Sequence, residues 1–83
     1  MGLTLPMARD LAPDLRVNAL APGIIDTEIQ TTLFADRDAL EATTAGIPLA
    51  RLGEAREVAE AAAWLLLAAP YVSGETIRVA GGR

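Results

Sequence analysis

The sequence of 83 residues contains no cysteine, no histidine and no lysine. Without cysteine and histidine it can form no disulfide, no thiol nucleophile, no imidazole base and none of the usual zinc sites. Without lysine it has no Schiff-base amine, and a Ser-His-Asp set is likewise impossible. Only Tyr71, carboxylates and hydroxyls remain, and no catalytic or metal-ligating residue is expected among them. The seven basic residues are outnumbered by eleven acidic ones, giving a net charge of −4. A chain so short of cations lacks the electrostatic footprint of a nucleic-acid binder. Aromatic residues are scarce, with one each of Trp, Tyr and Phe. The longest apolar run, Ala61 to Pro70, is about half of the ~20 residues needed to cross a bilayer, so it predicts a buried helix and no membrane anchor. No basic segment followed by an apolar stretch and a cleavage site opens the sequence, so the expected location is the cytoplasm. Met1 reads equally as a natural start or a truncation point. Neither G-x-G-x-x-G nor G-x-x-x-x-G-K occurs, and Gly81-Gly82 is too short to cradle a phosphate.

What the sequence has in excess is apolar residues, at 52%. Soluble domains average roughly 45 to 50% even with glycine included. A chain this small buries only roughly 60 to 65% of its unfolded surface. The surplus predicts missing neighbours, either the rest of a larger α/β unit or another subunit.

The chain is organised around Val17-Asn18-Ala19-Leu20-Ala21-Pro22-Gly23-Ile24-Ile25-Asp26-Thr27. Arg16 to Ala21 reads as a strand covered on both faces, as in parallel α/β sheets, where ligands gather beyond the carboxyl ends of the strands. Pro22 ends it and Gly23 frees the backbone to turn. Before it, Leu3, Met7 and Leu11 recur at helical spacing, with Pro6 tolerable if Thr4 caps the helix. After it, Asp26 or Thr27 can start a short helix reaching Leu33 or Phe34, and Asp36 or Asp38 another to about Thr44. Gly46 to Gly53 reads as a loop. A helix from about Glu54 to Ala68, with Glu54 and Glu57 at its positive end, loses its polar face after Glu60 and is expected to be buried nearly all round. Its Trp64 is assigned to helix-to-sheet packing. Glu75 to Val79 alternates like a final strand, and Gly81-Gly82-Arg83 forms a tail or contact point. The predicted order is α-β-α-α-α-β, with parallel strands and right-handed crossovers. Two strands make an incomplete sheet.

Asp26 and Glu28 are better explained as helix-start residues than as an acid pair. Taken alone, Pro22-Gly23 turns the chain and Thr27 caps a helix, with no ligand required.

In its order and wording, however, this stretch resembles the short-chain dehydrogenase/reductase family. Pro48-Leu49-Ala50-Arg51-Leu52-Gly53-Glu54 with Glu57-Val58-Ala59 looks like the loop and helix after that family's substrate lid. Tyr71-Val72-Ser73-Gly74-Glu75-Thr76-Ile77 looks like its last strand, except that Ala80 stands where the family has Asp. Gly2 to Pro13 is similar to the end of the helix bearing the family's Tyr-x-x-x-Lys motif, which this sequence does not contain; its wording is most like type-2 3-hydroxyacyl-CoA dehydrogenases. The resemblance implies that residues 1–83 are the C-terminal segment of a single Rossmann-type doubly wound domain that binds NAD or NADP. It implies that Pro22, Gly23, Ile25 and Thr27 contact the nicotinamide, with the Ile25 backbone holding the carboxamide. It places Ile29, Leu33 and Phe34 in a lid over a small carbonyl or alcohol substrate. It also implies a homo-oligomer or a missing N-terminal portion as partner.

Overall fold

A computed structural model describes residues 2–27 and 37–83. Helix α1 (Thr4–Leu11) leads into strand β1 (Ala19–Pro22) and the two-residue strand β2 (Ile25–Asp26). Helix α2 (Arg37–Ala45), strand β3 (Gly53–Glu54), helix α3 (Ala55–Leu67) and strand β4 (Thr76–Val79) follow. Strands β1 and β4 pair in parallel, with Ala19 opposite Thr76 and Pro22 opposite Val79. Strands β2 and β3 form a second parallel pair, Ile25 opposite Gly53 and Asp26 opposite Glu54. Two-residue strands carry no periodic signal, and the sequence reading did not include them.

Helix α1 starts one residue earlier in its role assignment than expected. Leu3 occupies the cap position without a side-chain bond, and Thr4 is the first helical residue. Pro6 then lies in the first turn, where backbone N–H groups lack intrahelical acceptors, so the helix continues through it. The buried face is Thr4 and Ala8, one turn apart, whereas Leu3, Met7 and Leu11 are exposed. The turn at Ser73-Gly74 decides this. Gly74 adopts φ +80°, and a Cβ there would lie 2.7 Å from Leu5 Cδ1 and 3.5 Å from Ala8 Cβ, so the helix rests directly on a glycine backbone.

The first strand begins three residues later than Arg16. Side chains upstream of Ala19 grip the 72–75 turn instead of facing a neighbouring strand. The Asn18 carboxamide donates to Val72 O at 2.9 Å and accepts from the Glu75 N–H at 3.1 Å, while the Val17 N–H donates to Ser73 Oγ at 3.2 Å. The Arg16 guanidinium donates to Leu65 O, Ala69 O and Val72 O through Nη1, at 2.9, 3.0 and 3.2 Å, and to Leu66 O through Nη2 at 3.3 Å. A cation on the last carbonyls of a helix satisfies orphan acceptors and suits the negative end of its dipole. Pro22 belongs to β1. Ala19 and Gly23 donate to β4, at Glu75 O and Val79 O, both 2.9 Å away. Strand alternation turns the Pro22 nitrogen the other way, so its missing N–H takes nothing from this ladder.

Helix α3 begins where the sequence indicated. Glu54 and Glu57 form a reciprocal capping box across its first turn. Its expected all-round burial does not hold. Leu65 and the following Ala69 are buried against the sheet, but Trp64 is 48% exposed, Leu66 73% and Leu67 85%. A sheet of two strands is too narrow to cover more than one stripe of a helix, so the apolar remainder faces outward. Ile47, 3% exposed, anchors the loop before β3.

Candidate functional site

The parallel pairing brings the carboxyl ends of β1 and β4 to one edge, and the chain leaves β1 there through Gly23. Gly23 does not use the left-handed backbone that distinguishes Gly74, Gly81 and Gly82. Its lack of a side chain serves a different purpose from the freedom to turn: a Cβ would come within 2.8 Å of both Cα and Cβ of Ala80. The two strand ends therefore touch backbone to backbone, fixed further by the Gly23 N–H to Val79 O bond.

One residue on, Ile24 O accepts the Gly53 N–H at 3.0 Å. In a planar trans peptide the N–H points opposite to the preceding carbonyl. The Ile25 N–H consequently points away from β3, and in an extended strand its own carbonyl shares that side. Ile25 thus presents one donor and one acceptor outward from the end of the sheet. That pair matches a carboxamide, which carries both a carbonyl and an NH2 group. Thr27 is exposed at the end of the same segment and has an interaction of its own. Pro22, Gly23, Ile25 and Thr27 thus follow one another along the segment that leaves β1. Ile29, Leu33 and Phe34 lie outside the described residues.

On the β3 side of the segment is a cleft of about 280 Å³ with an apolar floor of Ile24, Ile47, Leu49 and Val79. None of Pro22, Gly23, Ile25 and Thr27 lines it; Ile24, in the bend between β1 and β2, does. Arg51 and Glu57 stand at its rim. They form a two-pronged ion pair, Nη1 to Oε1 at 2.7 Å and Nη2 to Oε2 at 2.9 Å. Oε1 also accepts the Glu54 N–H at 3.0 Å, and Nη1 donates to Leu52 O at 3.1 Å. The Arg51 fork, followed by the Glu54 N–H, holds the Glu57 carboxyl down to about 2. Sequence reasoning did not join these two residues, because a loop-to-helix spacing of six has no periodic signature. The tail is a contact point: Gly81 O accepts the Leu49 N–H at 3.0 Å, and the Arg78 guanidinium donates to Arg83 O.

Among the described residues no group of three or more acidic, Cys or His side chains could hold a metal ion, and no helix is long and apolar enough to cross a membrane.

The profile of the family described as enoyl-(acyl carrier protein) reductase matches residues 1–83. A 3-oxoacyl-[acyl-carrier-protein] reductase of Vibrio harveyi is 42% identical over 84 residues, covering 99% of this chain and 34% of that protein. Among solved structures, a short-chain dehydrogenase/reductase of the glucose/ribitol dehydrogenase type from Brucella melitensis superposes with a TM-score of 0.86 at 41% identity, over 98% of this chain and 33% of the other. A small-chain dehydrogenase in complex with NADPH superposes with a TM-score of 0.82 at 37% identity, over 98% of this chain and 37% of the other. This chain spans about a third of the length of these relatives. Its two parallel strand pairs and flanking helices are an incomplete portion of their Rossmann-type α/β fold. On the match along its whole length, the chain belongs to the short-chain dehydrogenase/reductase family.

Proposed function

We propose that this chain is the C-terminal segment of a single Rossmann-type domain in an NAD(P)-dependent oxidoreductase, and that it forms the nicotinamide-side wall of the active site. The observation that supports the reading is the outward-facing N–H and carbonyl of Ile25, set beside a Gly23 backbone stripped of any side chain. Ile25 holds the nicotinamide carboxamide through these two groups. Pro22 and Gly23 give the ring a flat backbone to lie against, and the Thr27 hydroxyl bonds to polar atoms next to it. The bound cofactor supplies a hydride to a carbonyl carbon, or takes one from a secondary alcohol. Ile29, Leu33 and Phe34 belong to the lid over that substrate. A 3-oxoacyl or 3-hydroxyacyl thioester is the favoured substrate class, in keeping with the acyl-carrier reductase among the relatives.

The residues here orient the cofactor and move no proton. Proton transfer in this chemistry needs a general acid of suitably lowered pKa, which a tyrosine gains from a nearby ammonium. Tyr71 is fully exposed and the chain contains no lysine, so these 83 residues alone are expected to be inactive. The exposed Leu3, Met7, Trp64, Leu66 and Leu67 are faces for the remainder of the sheet or for a second subunit.

The test is complementation. The 83-residue chain is co-expressed with the N-terminal two thirds of a related reductase, and NAD(P)H-dependent reduction of a 3-oxoacyl thioester is followed by absorbance. Turnover is expected from the pair and not from the chain alone. Thr27→Val in the pair is expected to weaken cofactor binding about fivefold, the effect of about one lost hydrogen bond. Turnover by the chain alone, or a pair indifferent to Thr27→Val, would overturn the assignment.

A further inference from the structure

Ile25 presents its peptide groups correctly only if β2 stays aligned on β3, and β3 is two residues long. What holds β3 in place is the ion pair at the cleft rim. The Arg51 guanidinium binds the carbonyl of Leu52, the residue just before β3, and both carboxylate oxygens of Glu57. The Glu57 Oε1 in turn accepts the N–H of Glu54, the last residue of β3. One guanidinium and one carboxylate thus bracket Gly53 from both sides. Gly53 itself donates to Ile24 O, and the Ile25 side chain packs over its bare Cα, its Cδ1 atom lying 2.9 Å from where a Gly53 Cβ would be. The path from Arg51 to the Ile25 peptide runs through five hydrogen bonds of 2.7 to 3.1 Å.

Surface ion pairs in general contribute little to stability, the exceptions being two-pronged arginine pairs within a network. Arg51 and Glu57 form such a pair, and they do so at a point where position matters more than stability. We propose that Arg51 and Glu57 are positioning residues for the cofactor: their forked ion pair holds β3 so that the Ile25 backbone meets the nicotinamide carboxamide. The proposal rests on the nicotinamide role proposed above.

The two substitutions that test it each remove one feature. Glu57→Gln keeps an oxygen for the Glu54 N–H, since Gln serves in a capping box as Glu does, but it removes the charge facing Arg51. Arg51→Lys keeps the positive charge and loses the planar fork that spans Leu52 O and both carboxylate oxygens. In the complemented protein, with only the 83-residue chain labelled with 15N, amide hydrogen exchange reports on each bond separately. Both variants are expected to speed exchange at Gly53 by roughly fivefold or more, and to leave Ala19 and Gly23, bonded to Glu75 O and Val79 O, unchanged. Both are also expected to weaken NADH or NADPH by a similar factor, while ADP-ribose or 2′-phospho-ADP-ribose, which lack the nicotinamide, bind as before. Unaltered exchange at Gly53, or equal acceleration at all three amides, would overturn the positioning role. Exchange that changes at Gly53 alone, in a protein whose affinity for the nicotinamide-free fragments matches that for the whole cofactor before and after substitution, would overturn the cofactor role on which it rests.

Discussion

The two ends of β1 are held by different means. At its amino end side chains reinforce the backbone bonds from Ala19 N–H to Glu75 O and from Gly74 N–H to Val17 O: Arg16 reaches four carbonyls, and Asn18 both sides of the 72–75 turn. At its carboxyl end the ties are backbone groups and absent side chains, with Gly23 against Ala80 and Ile24 O on the Gly53 N–H. The difference shows where the chain keeps peptide groups available. Side chains that crossed the carboxyl end would satisfy or shield the Ile25 peptide, whereas glycine contacts fix the segment and leave its edge open.

Substitution at each end tests this contrast by its size and kind. The largest effect is expected from Gly23→Ala, because the new Cβ meets the Ala80 Cα and Cβ at 2.8 Å and backbone has to give way. Overpacking of this sort costs about 1 to 3 kcal/mol. Urea denaturation of the complemented protein measures it, and a loss below about 0.5 kcal/mol would mean that the two strand ends are not in contact. Arg16→Met, at the other end, keeps the aliphatic stem and removes every donor to the end of α3. The expected loss is about 1.5 kcal/mol, in line with a charge-assisted hydrogen bond, and cofactor affinity should not change. If it does, the two ends are coupled and the contrast fails. Asn18→Ala removes both bonds of the carboxamide, with an expected loss of about 1 kcal/mol by the same assay.

The smallest effect concerns pH. The Glu57 carboxyl titrates at about 2 in the folded protein, depressed by the Arg51 fork and the Glu54 N–H, against an ordinary value of 4.5. A group whose folded pKa is depressed adds stability above its unfolded value and loses it as pH falls toward the folded one. The Arg51–Glu57 contribution is therefore complete above about pH 4.5 and lost progressively down to about 2. Because the pair is partly exposed the change is small, and a thermal melt of wild type against Glu57→Gln isolates it: the gap between the two should narrow below pH 4.5. Equal melts at every pH would place the stabilising role of Glu57 in its capping oxygen alone, which Gln retains.

Much of this layout is legible in the sequence, for reasons that are local. Helix α3 starts at Glu54 because its cap and its Glu57 partner are three residues apart, and β1 and β4 are runs whose pattern needs no distant information. What the sequence hides depends on contacts between distant residues. Gly23 reads as a turn, but its reason is Ala80. Leu3, Met7 and Leu11 read as the buried stripe of α1, with Leu5 and Ala8 widening it; Ala8 is buried, but the Gly74 backbone pairs it with Thr4 and leaves the rest exposed. Trp64 reads as helix-to-sheet packing, but the two-stranded sheet leaves it half exposed. Arg16 reads as the start of a strand and Arg51 as a surface or loop-positioning group, since nothing near them in the sequence names the carbonyls they bind.

The hydrogen bond between Asn18 and Glu75 joins residues 57 positions apart. Closing a loop of that length costs entropy that no local structure offsets in advance, and pairings so distant in sequence form late. Helix α3 can appear and vanish many times on a microsecond scale before β1 finds β4. The speed at which this chain becomes ordered is therefore governed by one rare encounter, in which the Asn18 carboxamide meets the turn it closes.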